Sequence, residues 1–413
     1  MKSHPDFLTV FEIYQKIHSQ GYQVFLAGGC VRDGLLGLTP NDFDLATNAT
    51  PDQIIGLFEK TVSVGKAYGV IIVIEAGIEV EVTTFRSDGI YEDGRRPAAV
   101  EFSSPEMDAE RRDFTINALF YDLANDQVLD YVEGVTDLNQ RLLRAVGEPA
   151  KRFREDHLRM LRAVRFVGQL AFELESATRQ AIVENVRQIM TVSRERIHAE
   201  VQKLLLSQNQ IRGLQEFQAL GFSEILFPAQ PFNLPLWQEV WQKQRKNLSL
   251  VDDGRLFKEK SILLNWFIFW NVIWTPALAS EFEKVLSEWK FSNQEKQNLL
   301  KMLFWRGQTK TFEKKSLGEL VEICFDQNQL LALNIYAQQK ILDEKKTILV
   351  KNQFLKFKGQ KPEAILKAKD LPKEIQGPEI GRILRLCYWA QLESKISNLE
   401  QARAFLKAQV KSS

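Results

Sequence analysis

LAGGCVRDGLLGLTPNDFDLAT, residues 26–47, begins at the end of an apolar run, YQVFLAGG, that reads as a buried strand closed by two glycines. VRDGLLG then opens a helix, and NDFDLAT reads as a short strand. Asp42 and Asp44 flank Phe43, so in extended backbone their carboxylates share one face. Two like charges that close repel unless something cationic lies between them. Glycines at a strand end let backbone N–H groups approach an anion, and the start of a following helix adds a favourable dipole. A lone Gly-Gly is more often a turn, and D-x-D by itself is more often an exposed strand end or an Asx turn. Together, Gly28, Gly29, Arg32, Asp42 and Asp44 read as a phosphate cradle beside a carboxylate pair. Mg²⁺ suits such a pair, because it prefers a few carboxylates plus substrate phosphates to an all-protein cage.

Outward from this stretch, residues 5–20 read as an amphipathic helix with Phe7, Leu8, Phe11, Ile13, Tyr14 and Ile17 as its apolar stripe. GVIIVIEAGIEVEVTTFR reads as a hairpin turning near Ala76-Gly77. Its second strand carries Glu79 and Glu81 on one face, either a candidate third carboxylate. From about residue 136 the pattern is helical nearly to the end, broken by proline-bearing segments at 227–235, 274–278, 359–364 and 371–380. The fold class expected is α+β.

The chain has 413 residues, 45% of them apolar, enough for two to four domains. Cys30, Cys324 and Cys387 have no CxxC spacing, which argues for a reducing compartment and against structural zinc. The segment 262–274 is too short to span a bilayer and reads as a buried helix. No membrane association and a cytoplasmic location are expected. Trp266, Trp270 and Trp274 within it read as core. The net charge of +1 conceals a division: residues 1–150 carry 12 Lys+Arg against 24 Asp+Glu, and the remainder 42 against 29. An acidic head would collect cations, and a basic remainder would meet a polyanion.

Two further segments carry polar residues that packing does not require. AERRDFTINALFYD (109–122) presents Arg112, Asp113 and Asn117, and REDHLRMLRAVRF (154–166) reads as one helix with Asp156, Arg159 and Arg162 along a face. An i,i+3 ion pair on a solvated surface is the plainer reading of Asp156 and Arg159. Alternatively, an Asp acceptor beside an Arg fork can read a Watson–Crick edge. Such a pair satisfies the amino group shared by C and A, and rejects the carbonyl of U and G.

In order and spacing, five motifs resemble those of class II tRNA nucleotidyltransferases of the CCA-adding/poly(A) polymerase superfamily, in its bacterial form. They are GGCVRDGLLG…NDFDLATNATPDQI, RRDFTINAL, DYVEGVTDLNQRLLRAVGEP (130–149), Glu155-Asp156-His157-Leu158-Arg159, and SRERIHAEV (193–201), and the resemblance in order and spacing covers residues 20–210. The resemblance implies a polymerase-β-like head over 1–138, a helical neck over 139–225, a body over 226–330 and a tRNA-binding tail over 331–413. It implies that Asp42 and Asp44 hold Mg²⁺ ions for two-metal phosphoryl transfer, with Glu81 as the third catalytic carboxylate. Gly28, Gly29 and Arg32 would contact the triphosphate, and Arg112 and Asp113, with Asn117, the ribose and phosphates. Asp156 and Arg159, with Arg162 on the same face, would select the base of CTP or ATP. The implied activity is addition or repair of the tRNA 3′-terminal CCA without a nucleic-acid template. An A-adding enzyme or poly(A) polymerase, and a catalytically silent RNA-binding protein, are the alternatives. Residues 87–110 look like the complete loop that CC-adding enzymes lack.

Overall fold

The computed structural model describes residues 4–88, 100–227, 233–235, 237–239, 242, 266, 269, 279–303, 309–338, 341–358, 360–372 and 374–410. The chain divides into two compact units, residues 1–231 and 232–413. Residues 89–99 of the expected loop at 87–110, and Trp270 and Trp274, lie outside the described residues.

In the first unit, α1 (Phe7–His18), β1 (Val24–Ala27), α2 (Gly29–Leu35), β2 (Asp44–Thr47) and α3 (Pro51–Leu57) lead into β3 (Thr61–Gly65), β4 (Val70–Glu75) and β5 (Ile78–Thr84). A ribbon of β6 (Arg86–Asp88) and β7 (Val100–Phe102) precedes α4 (Pro105–Glu110), β8 (Phe120–Asp122) and β9 (Gln127–Leu129). Seven of these strands form one sheet in the order β3-β4-β5-β2-β1-β8-β9. Pairing is parallel between β2 and β5, and antiparallel elsewhere in this sheet. Glu75 faces Ile78 across the β4–β5 turn, and Ala76 and Gly77 have φ of +50° and +79°, the doubly left-handed two-residue turn that matches strand twist.

Both faces of β1 are buried, which explains why VFLA is continuously apolar. Val24 and Leu26 join Leu45, Val80, Val82 and the buried side of α1 in one core. Phe25 and Ala27 join Ala46, Phe85, Phe120 and Val146 in another. Leu8, expected within the stripe of α1, is 72% exposed, and Val10 takes the buried position instead. Position 10 lies three residues from both 7 and 13, so it continues the row that position 8 leaves.

Beyond the sheet come α5 (Gly134–Gln140), α6 (Pro149–Glu155), α7 (Leu158–Leu170), α8 (Ser176–Asn185), α9 (Arg194–Leu205), α10 (Gln210–Ala219) and α11 (Phe222–Leu226). Residues 154–166 are therefore two helices rather than the one expected. Asp156 is extended, at φ −147° and ψ 105°, and its Oδ1 accepts the N–H of Leu158 at 3.0 Å. That local bond offers the backbone an alternative to the helical ladder and fixes the break.

The second unit is helical among its described residues, including Ala279–Glu288, Asn293–Leu303, Leu317–Cys324, Gln327–Gln338, Glu344–Lys356, Pro378–Leu392 and Leu399–Val410. Trp266 is 1% exposed and packs edge-on against Phe269, Trp289 and Phe291, as core. No helix among the described residues is long and apolar enough to cross a membrane.

Candidate active site

The sheet brings the carboxylates together. β2 runs parallel to β5 with Asp44 opposite Glu81, so their side chains leave the same face. Across the other edge, Asp44 faces Ala27, which is 1% exposed and packed in the core. β2 starts at Asp44, so Asp42 precedes the strand instead of sharing it, and Phe43 between them is buried. Burial, then Glu81 and Asp42, push the Asp44 carboxyl up to about 7, against the pull of the Arg112 guanidinium. This crowding of hard oxygen donors suits Mg²⁺, which binds through one or two carboxylates plus waters and phosphates. Among the described residues, no three or more His, Cys, Asp or Glu side chains form a ready cage. Cys30 lies close by, but burial pushes its thiol up to about 12, so it serves as wall.

Arg112 is held from several sides. Its Nε and Nη2 donate to Asp108 Oδ2 at 3.2 and 3.0 Å, and its Nη1 donates to the Asn117 carbonyl at 3.1 Å. The guanidinium lies 4.9 Å over the Phe120 ring. Gly28 makes room for it: φ is +72°, and a Cβ there would meet Arg112 Nη1 at 2.9 Å. The N–H of Gly28 donates to the Leu119 carbonyl at 3.0 Å, so the first glycine ties the turn to the sheet, and Gly29 opens α2.

A chain of polar contacts runs from here into the helices. Arg32 donates from Nε to Asp33 Oδ1 at 2.8 Å and from Nη1 to Asn117 Oδ1 at 2.6 Å. Asn117 Nδ2 donates to Asp113 Oδ1 at 3.2 Å, and Arg162 Nε donates to Asp113 Oδ2 at 2.7 Å. Burial alone would raise the Asp113 carboxyl, yet Arg162 and the bonds from Arg162 and Asn117 hold it down to about 2. Asp156 and Arg159 are not paired with each other. Asp156 Oδ2 accepts from Arg196 at 2.7 Å, whereas Arg159 donates to Glu155 at 2.7 Å and to the Arg111 carbonyl at 3.1 Å. An acceptor and a donor fork thus stand side by side, each oriented by its own partner.

Sequence reasoning missed five residues of this network. Phe166 lies beneath three guanidiniums, with Arg165, Arg32 and Arg162 at 4.0, 5.3 and 5.6 Å from its ring centre. Glu200 pairs with Arg165 at 2.7 Å. Arg196 reaches Asp156 from α9, and no local pattern announces that contact. Asp108 was legible, since it stands three and four residues before Arg111 and Arg112, the spacing of helical ion pairs.

Two family models match the chain. The poly A polymerase head domain covers residues 24–144, and the probable RNA and SrmB-binding site of polymerase A covers residues 171–232. The CCA-adding enzyme of Lactiplantibacillus plantarum is 32% identical over 421 residues, which cover 96% of this chain and 95% of that one. The CCA-adding enzyme of Bacillus pumilus is 46% identical over 200 residues; that alignment spans about half of each chain, 48% of this one and 50% of its relative. Among solved structures, the Bacillus stearothermophilus CCA-adding enzyme in complex with CTP is similar at a TM-score of 0.74 and 27% identity, covering 99% of this chain and 98% of that one.

Proposed function

This chain belongs to the family of CCA-adding enzymes, which are nucleotidyltransferases, and on that premise we propose that it completes or repairs the 3′-terminal CCA of tRNA from CTP and ATP without a nucleic-acid template. The observation that carries the reading is the in-register pair Asp44–Glu81, with Asp42 beside it, in the same compact unit as Asp156 and Arg159. Asp42 and Asp44 would hold Mg²⁺. When bound with the triphosphate, a pair of such ions supplies charge neutralisation and lowers the pKa of the attacking hydroxyl.

The remaining work falls to the chain itself. Gly28 and Gly29 let the backbone approach the triphosphate, while Arg32 and Arg112 offset its charge. Asp113, Asn117 and Arg162 fix the floor beneath the ribose. Glu81, in register with Asp44, would be the third carboxylate and accept the proton of the tRNA 3′-hydroxyl. The Asp156 carboxylate accepts from the amino group of C or A, and the Arg159 fork donates to the neighbouring ring nitrogen. The basic helical portion binds tRNA through phosphates and shape. Head, neck, body and tail would span 1–138, 139–225, 226–330 and 331–413. A tRNA substrate also fits the cytoplasm, where the three buried, unpaired cysteines would stay reduced.

The test is a gel assay with Mg²⁺ and tRNA transcripts ending before CCA, after C and after CC, each given CTP, ATP or both. A single discrete CCA end from all three supports the reading. One A added solely to the CC-ended tRNA would make this an A-adding enzyme, long A-tails would make it a poly(A) polymerase, and no incorporation would leave an RNA-binding protein. Asp42→Ala should abolish extension while tRNA binding, measured by gel shift, is retained.

A further inference from the structure

Asp108, in the last turn of α4, is fully buried at 0% exposure, and no step described above asks for a carboxylate there. It nonetheless uses both oxygens. Oδ1 accepts from Arg111 Nε at 2.9 Å and from the backbone N–H of Arg86 at 3.3 Å. Oδ2 accepts from Nε and Nη2 of Arg112, at 3.2 and 3.0 Å. One carboxylate therefore clamps two consecutive guanidiniums just where α4 ends and the backbone must turn.

Each arginine carries the clamp onward to a different part of the site. With its Nε edge held by Asp108, Arg112 is left one orientation, against Phe120 and under Gly28, from which it acts on Asp44. With its side chain held by the same carboxylate, Arg111 presents its backbone carbonyl to Arg159 Nη2 at 3.1 Å. A buried ion pair that merely stabilised the fold would need a single partner. Burying an acid with two arginines is a costly way to add stability, because desolvation offsets most of the attraction.

We infer that Asp108 is a positioning residue for both ends of the bound nucleotide, orienting Arg112 on the phosphate side and, through the Arg111 backbone, Arg159 on the base side. The inference rests on the proposed roles of Arg112 and Arg159. Grip on the triphosphate and choice of base then share one anchor, so one substitution disturbs both.

Asp108→Asn keeps the shape but turns an amide donor toward an arginine. In the full-length protein with CC-ended and C-ended tRNA, KM for CTP and ATP should rise about tenfold while kcat changes less than about threefold, the loss expected for one charge-assisted hydrogen bond. Incorporation of UMP relative to CMP should rise about fivefold or more, and Asp108→Glu, which restores the charge, should recover part of both losses. Arg112→Ala and Arg159→Ala are measured alongside. If those two leave KM and base choice unchanged, the nucleotide-site reading is wrong and the inference falls with it. If they have effects but Asp108→Asn lowers the melting temperature without changing KM or selectivity, Asp108 is structural and the inference alone is overturned. Should Asp108→Asn fail to fold, Arg111→Ala carries the test. Raised UMP incorporation at unchanged CTP KM supports the shared anchor, and unchanged selectivity overturns it.

Discussion

At Gly28 two requirements coincide: a left-handed backbone with φ +72°, and an Arg112 nitrogen where a Cβ would stand. Gly28→Ala should therefore cost about 1–2 kcal/mol of backbone strain and also displace Arg112, raising KM for both nucleotides. Denaturant titration and steady-state kinetics on the same protein would separate the two effects. Asp113 illustrates the opposite case, a charge that the fold stabilises. Its carboxyl is held down to about 2, below the unfolded value, so the pair with Arg162 contributes in full above about pH 4. That contribution fades as pH falls toward the folded value. Asp113→Asn should lower the melting temperature at pH 7, at a cost of about 3 kcal/mol, because Arg162 loses its nearest carboxylate and keeps Glu200 at 3.9 Å. The gap between wild type and variant should narrow as pH is lowered from 5 to 2, which melting curves across that range would reveal.

At the scale of elements, the sheet was largely readable. The alternation in IEVEV and the Ala76-Gly77 turn follow from period-two patterning and turn chemistry, and the structure has the β4–β5 hairpin there. Helix limits were less readable where a side chain competes with the ladder. The break at Asp156 depends on a bond to the N–H of Leu158, and a 3.6-residue period continues through it without a signal. Helix contacts were not readable at all. α7 and α10 approach where Gly168 meets Gly213, with a Cβ on Gly213 falling 2.9 Å from Gly168 Cα and 2.3 Å from Leu204 Cδ1. The leucine end can swing away, but the backbone cannot. Gly213→Ala should thus cost about 1–3 kcal/mol by overpacking, measured from the denaturant midpoint. It should also lower kcat/KM, since α7 carries Arg159 and Arg162.

At the scale of the whole molecule, the two units differ in charge as well as in fold. Residues 232–413 carry 30 Lys+Arg against 20 Asp+Glu, whereas residues 1–231 carry 24 against 33. The first unit has its own cores and contains every candidate site residue. A fragment of residues 1–231 should fold cooperatively and bind CTP, but its affinity for tRNA should fall. The slope of log affinity against log salt should also flatten, because fewer phosphates are neutralised. Fluorescence anisotropy at several salt concentrations would measure it. A fragment binding tRNA as tightly and with the same salt slope would place the RNA surface entirely within the first unit.

By itself the sequence determined the α+β class, the hairpin and the carboxylate and arginine candidates, because strand period, turn residues and short-range motif spacing are local properties. The tertiary structure alone decided which of them meet. Asp44 lies beside Glu81 only through a parallel pairing between strands more than thirty residues apart, and Arg196 reaches Asp156 only because α9 packs back on α7. Those contacts depend on register and helix crossing, which arise from the packing of whole elements and leave no periodic mark in the chain.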